Sequence, residues 1–100
     1  MTGTSQATIE SCPPGVLGPD LRACAAYDGA VTAASTVSCP TTLILGALDR
    51  MTPRKTAQPL VDAMVGATVV ELAASGHAPM MEEPDTVRSV LGEHLVRATV

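Results

Sequence analysis

Large rings are almost absent from this chain of 100 residues, which has no Phe, no Trp and a single Tyr, Tyr27. A core built without them draws on Leu, Val, Met and Ala and forgoes the large area that each buried aromatic contributes. Positive charge is scarce too. Six Lys and Arg stand against ten Asp and Glu, a net charge of −4. Such a chain has neither a basic stripe to track phosphates nor rings on which bases stack, so no nucleic-acid partner is expected. No apolar run nears the ~20 residues of a membrane span. Met1 to Glu10 lacks the basic and apolar regions of a secretory signal. These absences predict a soluble, cytoplasmic protein. Paired cysteines are also missing. Cys12, Cys24 and Cys39 are odd in number and widely spaced, with no C-x-x-C, which points away from a disulfide framework and a zinc site. They read as small buried hydrophobes or inert thiols, with a cysteine nucleophile served by His77 as the alternative. No metal or cofactor is expected.

At this length one domain is the ceiling. Residues 1–18 are rich in Gly, Pro, Ser and Thr and read as a flexible lead-in, because Cys12-Pro13-Pro14-Gly15 suits neither helix nor strand interior. Pro19 fits a first helical turn, and Leu21, Cys24, Ala25 and Tyr27 follow at helical spacings. After the Asp28-Gly29 break, Ala30 to Ser35 supplies another turn or two. Thr41-Thr42-Leu43-Ile44-Leu45, between Pro40 and Gly46, reads as a buried strand. A helix follows, with Thr52 as its expected N-cap and Ala57, Leu60, Val61 and Met64 as its apolar stripe; Pro59 either kinks it or makes it begin later. Ala67 to Leu72 is a second strand. Ala73 to Glu83 is a loop, and Pro84 opens a last helix with Val87, Val90, Leu91 and Leu95 on one face and His94 toward solvent. The predicted class is α/β, in the order α-β-α-β-α, with two parallel strands joined by a crossover. Two strands alone make a poor parallel sheet, so a neighbour is missing beside the first.

Open α/β sheets bind ligands beyond the carboxyl ends of their strands. Asp49 follows the first strand by four residues, and His77 follows the second by five. A carboxylate beside an imidazole fixes its tautomer and stabilises its protonated form, which makes the ring a general base. The plain alternative is a turn aspartate and an unrelated loop histidine. Met51, Met80 and Met81 flank the two positions. Met51 and Met80 are candidate lining for an apolar acyl or alkyl pocket, although gap-filling is the commoner role of methionine.

The run from Pro40 through Leu43-Ile44-Leu45-Gly46 to Asp49 and Pro53 resembles the strand-and-acid segment of the α/β-hydrolase family. Ser75-Gly76-His77, followed by Glu82-Glu83-Pro84-Asp85, resembles that family's closing Gly-His segment. The resemblance covers residues 39–96 and, more loosely, 20–36. It implies the C-terminal part of an α/β-hydrolase domain over residues 19–100, with the end of the cap or the helix after it in 19–36 and the last two strands and their helices in 39–97. It further implies Asp49 as triad acid, His77 as triad base and a small acyl substrate for the intact enzyme.

The family's nucleophile elbow, usually G-x-S-x-G ahead of the acid, is missing. Gly3-Thr4-Ser5-Gln6-Ala7 is a passing match with no strand pattern before it and no apolar helix after it. An oxyanion-hole loop has no counterpart either. The nucleophile's identity, Ser, Asp or Cys, therefore stays open. Two readings follow: a hydrolase fragment that supplies acid and base and is inactive alone, or a non-catalytic module or split-enzyme half that docks through its exposed strand edge, onto the missing hydrolase half or onto itself.

Overall fold

The structure, a computed structural model, describes the backbone of residues 2–99 and the side chains of residues 6–99. Its elements are α1 (Thr2–Glu10), α2 (Leu17–Ala26), α3 (Ala30–Ala34), β1 (Thr42–Gly46), α4 (Arg54–Ala63), β2 (Thr68–Leu72), α5 (Pro79–Glu82) and α6 (Pro84–Ala98). The class is mixed α and β, with six helices among the described residues around a two-stranded parallel sheet. β1 and β2 pair in the register Thr42↔Thr68 to Gly46↔Leu72, so their carboxyl ends lie side by side.

Alternate residues of a strand face opposite sides of its sheet. Thr42 and Ile44 share a cleft with Val90, Leu91 and His94 of α6, whereas Leu45 shares another with Thr56, Ala57 and Leu60 of α4. The two longer helices of the βαβα unit therefore cover opposite faces. In α4 the stripe Ala57, Leu60, Val61 and Met64 is half-buried. Pro59 stays inside the helix, on its exposed side. There Arg54 donates to Gln58 at 3.0 Å and Gln58 to Asp62 at 2.8 Å, a ladder of i,i+4 bonds that flanks the backbone bond Pro59 cannot make. Gly66, with φ of 86°, turns the chain into β2.

Several local expectations are corrected. Thr2–Glu10, expected within an irregular lead-in, is helical. Thr52 does not cap α4: Pro53 takes the capping position in extended conformation. Part of the loop expected after β2 closes into the short helix α5. The inward face of α6 is Val87, Val90 and half-buried His94, at intervals of three and four residues, whereas Leu91 and Leu95 are exposed. His94, expected toward solvent, has its Nδ1 2.8 Å from the Thr42 hydroxyl, which also accepts a bond from Arg97 at 3.2 Å. The three cysteines are free and exposed rather than buried.

Among the described residues the buried apolar side chains are Ala34, Leu72, Ala78, Val87 and Val90. That core is thin. A folded monomer of this mass exposes about 5,300 Å², and this chain exposes 7201 Å². The radius of gyration, 15.5 Å, likewise exceeds the ~13 Å usual for this length. None of the described helices is long and apolar enough to cross a membrane.

Candidate functional site

The site begins where the two strands end. Ala47 donates to the carbonyl of Leu72 at 3.0 Å and Leu48 to that of Ser75 at 2.9 Å, so the loop after β1 is stitched to the loop after β2. Gly46 lies against the second loop so closely that a Cβ would run into the carbonyl oxygens of Gly76 and Ser75. Glycine is required here for close approach, and that approach carries Asp49 to His77.

Asp49 Oδ2 lies 3.0 Å from His77 Nδ1. The carboxylate is set by its own loop. Oδ1 accepts the backbone N–H groups of Met51 and Thr52, each at 2.9 Å. Oδ2 accepts the Thr52 hydroxyl at 2.9 Å as well as the imidazole. A carboxylate offers about four lone-pair positions, and all of them are used. The Thr52 hydroxyl also stands 3.4 Å from His77 Nδ1. The Asp49 pKa accordingly falls from 3.8 to about 2. The Thr52 N–H is the largest cause; burial opposes it in part, and His77, the Thr52 hydroxyl and the Met51 N–H add to the lowering. The Asp49 side chain is 9% exposed and that of His77 41%, so the carboxylate is sheltered and the imidazole faces outward.

Ionised at neutral pH, Asp49 accepts the Nδ1 proton of a neutral imidazole, which leaves the lone pair on Nε2. That nitrogen is the one able to take a proton from a nucleophile or water, and the carboxylate stabilises the imidazolium that results.

The loop that carries His77 has its own supports, which sequence reasoning missed. Ser75 is fully buried, and its hydroxyl donates to the Glu83 carboxylate. Glu82 Oε2 accepts the N–H groups of Gly76, at 2.9 Å, and Ala78, at 3.2 Å. Glu82 and Glu83 ahead of Pro84 read as the end of a loop before a helix, a pattern that carries no sign of carboxylates folding back four to eight residues. Thr52 was missed for a similar reason, since a Thr before Pro reads as a cap.

The flanking methionines stay apart from the pair. Met51 contributes its backbone N–H, but the residue is 70% exposed, and Met80 on α5 is 60% exposed. An apolar cleft that includes Thr52 is lined further by Ala30, Val31, Leu45, Thr56, Ala57 and Leu60, with a volume of about 350 Å³, and neither methionine lines it. Ser5 falls inside α1, with no strand before it among the described residues, and its side chain lies outside the described ones. The described residues contain no cluster of three or more His, Cys, Asp or Glu able to hold a metal ion.

Comparison with family models, curated proteins and solved structures finds no match for this chain.

Proposed function

We propose that this chain supplies the acid and the base of a hydrolytic site of the α/β-hydrolase type, with Asp49 orienting His77 and His77 acting as general base. One observation carries the reading: the 3.0 Å contact between Asp49 Oδ2 and His77 Nδ1 at the adjacent carboxyl ends of two parallel strands. Residues 28 apart meet there, and a carboxylate that can only accept favours the Nδ1–H form of the ring, the tautomer that a base requires. The reaction class is nucleophilic attack on an ester, thioester or related acyl bond. The nucleophile, a Ser, Asp or Cys, and the donors for the oxyanion belong to a second component, which is either further sequence of the same protein or a partner chain. Triad members act as a unit, so the chain by itself is catalytically silent.

The test is turnover of a nitrophenyl ester by the purified chain. Its rate is expected to equal that of His77→Ala. Sustained turnover that His77→Ala abolishes would overturn the assignment of the nucleophile to a second component.

A second reading is favoured by the surface. Roughly 1,900 Å² more than a folded monomer of this mass exposes is over twice the ~800 Å² that one partner buries in a standard protein interface, and among the described residues each strand of the pair has an outer edge without a neighbouring strand. On this reading the chain is a docking module that pairs through a strand edge, and the Asp49–His77 contact serves to lock two loops. The readings part on Asp49→Asn. Loss of activity in a reconstituted assembly that still forms supports the hydrolase; loss of the assembly alone supports the module.

A further inference from the structure

We infer that Glu82 is the positioning residue of this site: its carboxylate grips the peptide units on both sides of His77 and thereby aims the imidazole at Asp49. The inference rests on the acid–base reading above and extends it to a residue that touches neither reacting group. A single oxygen, Glu82 Oε2, accepts the N–H of Gly76 at 2.9 Å and the N–H of Ala78 at 3.2 Å. Those are the residues immediately before and after the histidine. Backbone N–H groups that converge on one anion form a small concave cradle, and bonds to an ionised acceptor are about twice as strong as neutral ones.

Glu82 is itself anchored, because its own N–H donates to the Ala78 carbonyl at 3.1 Å in α5. The neighbouring Glu83 extends the grip by accepting the hydroxyl of buried Ser75. The Ser75 carbonyl in turn accepts the Leu48 N–H at 2.9 Å, one residue ahead of Asp49. A continuous path of hydrogen bonds and chain therefore leads from the α5–α6 junction through the base loop to the acid loop. His77 is 41% exposed and has little packing of its own to hold it, so backbone bonds on either side of it set the direction of its ring.

The experiment reads the Asp49 carboxyl by carbon-detected NMR titration in the full chain, because His77 is one of the groups that hold it down to about 2. His77→Ala is expected to raise the Asp49 pKa toward 3.8. Glu82→Gln is expected to raise it in the same direction. The sign discriminates, since removing a nearby negative charge without moving His77 would lower a carboxyl pKa. Added to His77→Ala, Glu82→Gln is expected to bring no further rise. Glu82→Asp keeps the charge but withdraws the carboxylate by one methylene, and is expected to raise the value as well. An unchanged or lowered Asp49 pKa in both Glu82 variants, with His77→Ala still effective, overturns the inference and leaves the pair standing. An Asp49 unmoved by His77→Ala overturns the pair itself, and the acid–base reading with it. On the unaltered chain, slow hydrogen exchange at the Gly76 and Ala78 amides is expected, and fast exchange at both overturns the grip without any substitution.

Discussion

Gly46→Ala tests the contact on which the site depends. The added methyl would stand 2.6 Å from the Ser75 carbonyl oxygen and closer still to that of Gly76. Both are backbone atoms, and the first already accepts the Leu48 N–H at 2.9 Å. Gly46 is not one of the two glycines with positive φ, so its backbone suits alanine. With room to spare, the change would stabilise by about 0.4–1 kcal/mol through the unfolded chain. The collision reverses that sign. Overpacking against atoms that cannot rotate away costs about 1–3 kcal/mol, and losing the Leu48–Ser75 bond adds about 1 kcal/mol. The net expectation is a loss of roughly 1–3 kcal/mol. With a urea m-value of about 1 kcal/mol/M, the unfolding midpoint falls by roughly 1–3 M. Urea titration followed by far-UV circular dichroism measures it, with Gly92→Ala as the control. Nothing lies within 4 Å of a Cβ at Gly92, and helix propensity there predicts a gain of about 0.8–1 kcal/mol. A Gly46→Ala midpoint at or above that of the unaltered chain would refute the close approach of the two loops.

Three further outcomes are expected. The Asp49 pKa is lower folded than unfolded, so its contribution to stability is complete above 3.8 and is lost as pH falls toward about 2; urea midpoints measured down that range should fall more steeply than those of Asp49→Asn, and parallel curves would refute it. Pro59→Ala restores a backbone donor inside α4 at an exposed position and should stabilise by roughly 1–3 kcal/mol, with an unchanged thermal midpoint counting against the helix as described. Thr42→Val removes the hydroxyl shared by His94 and Arg97; a double-mutant cycle with His94→Ala should return a coupling of about 0.5–1.5 kcal/mol, and strict additivity would refute the bond.

The strands were legible because their apolar runs are bounded by Pro40, Gly46 and Gly66, and the meeting of Asp49 with His77 because both follow those runs at one end of the sheet. What stayed hidden has physical reasons. The helix Thr2–Glu10 has no apolar stripe to announce it. His94 was read by its charged neighbours Glu93 and Arg97, but an imidazole can turn inward wherever a strand hydroxyl meets it, and Thr42 does. Thr52, Ser75, Glu82 and Glu83 act through bonds to backbone or across loops, and no spacing rule encodes such bonds. Strand-end position and the resemblance to a hydrolase segment together single out two residues; the geometry adds the four that hold them.

Three of the four bonds on the Asp49 carboxylate come from Met51 and Thr52, two and three residues along the chain. Only the fourth comes from far away, across 28 residues. Short closures cost less entropy and form sooner than long ones, so assembly has a built-in chronology. The acid is finished as a local turn, already ionised and aimed, before the sheet brings the histidine to it. Residues 46–53 are in this sense a portable cassette: grafted after another parallel strand, they would carry a ready acceptor to a new place. His77 could not travel with them, because its loop is held by Glu82 and Glu83 from beyond the second strand.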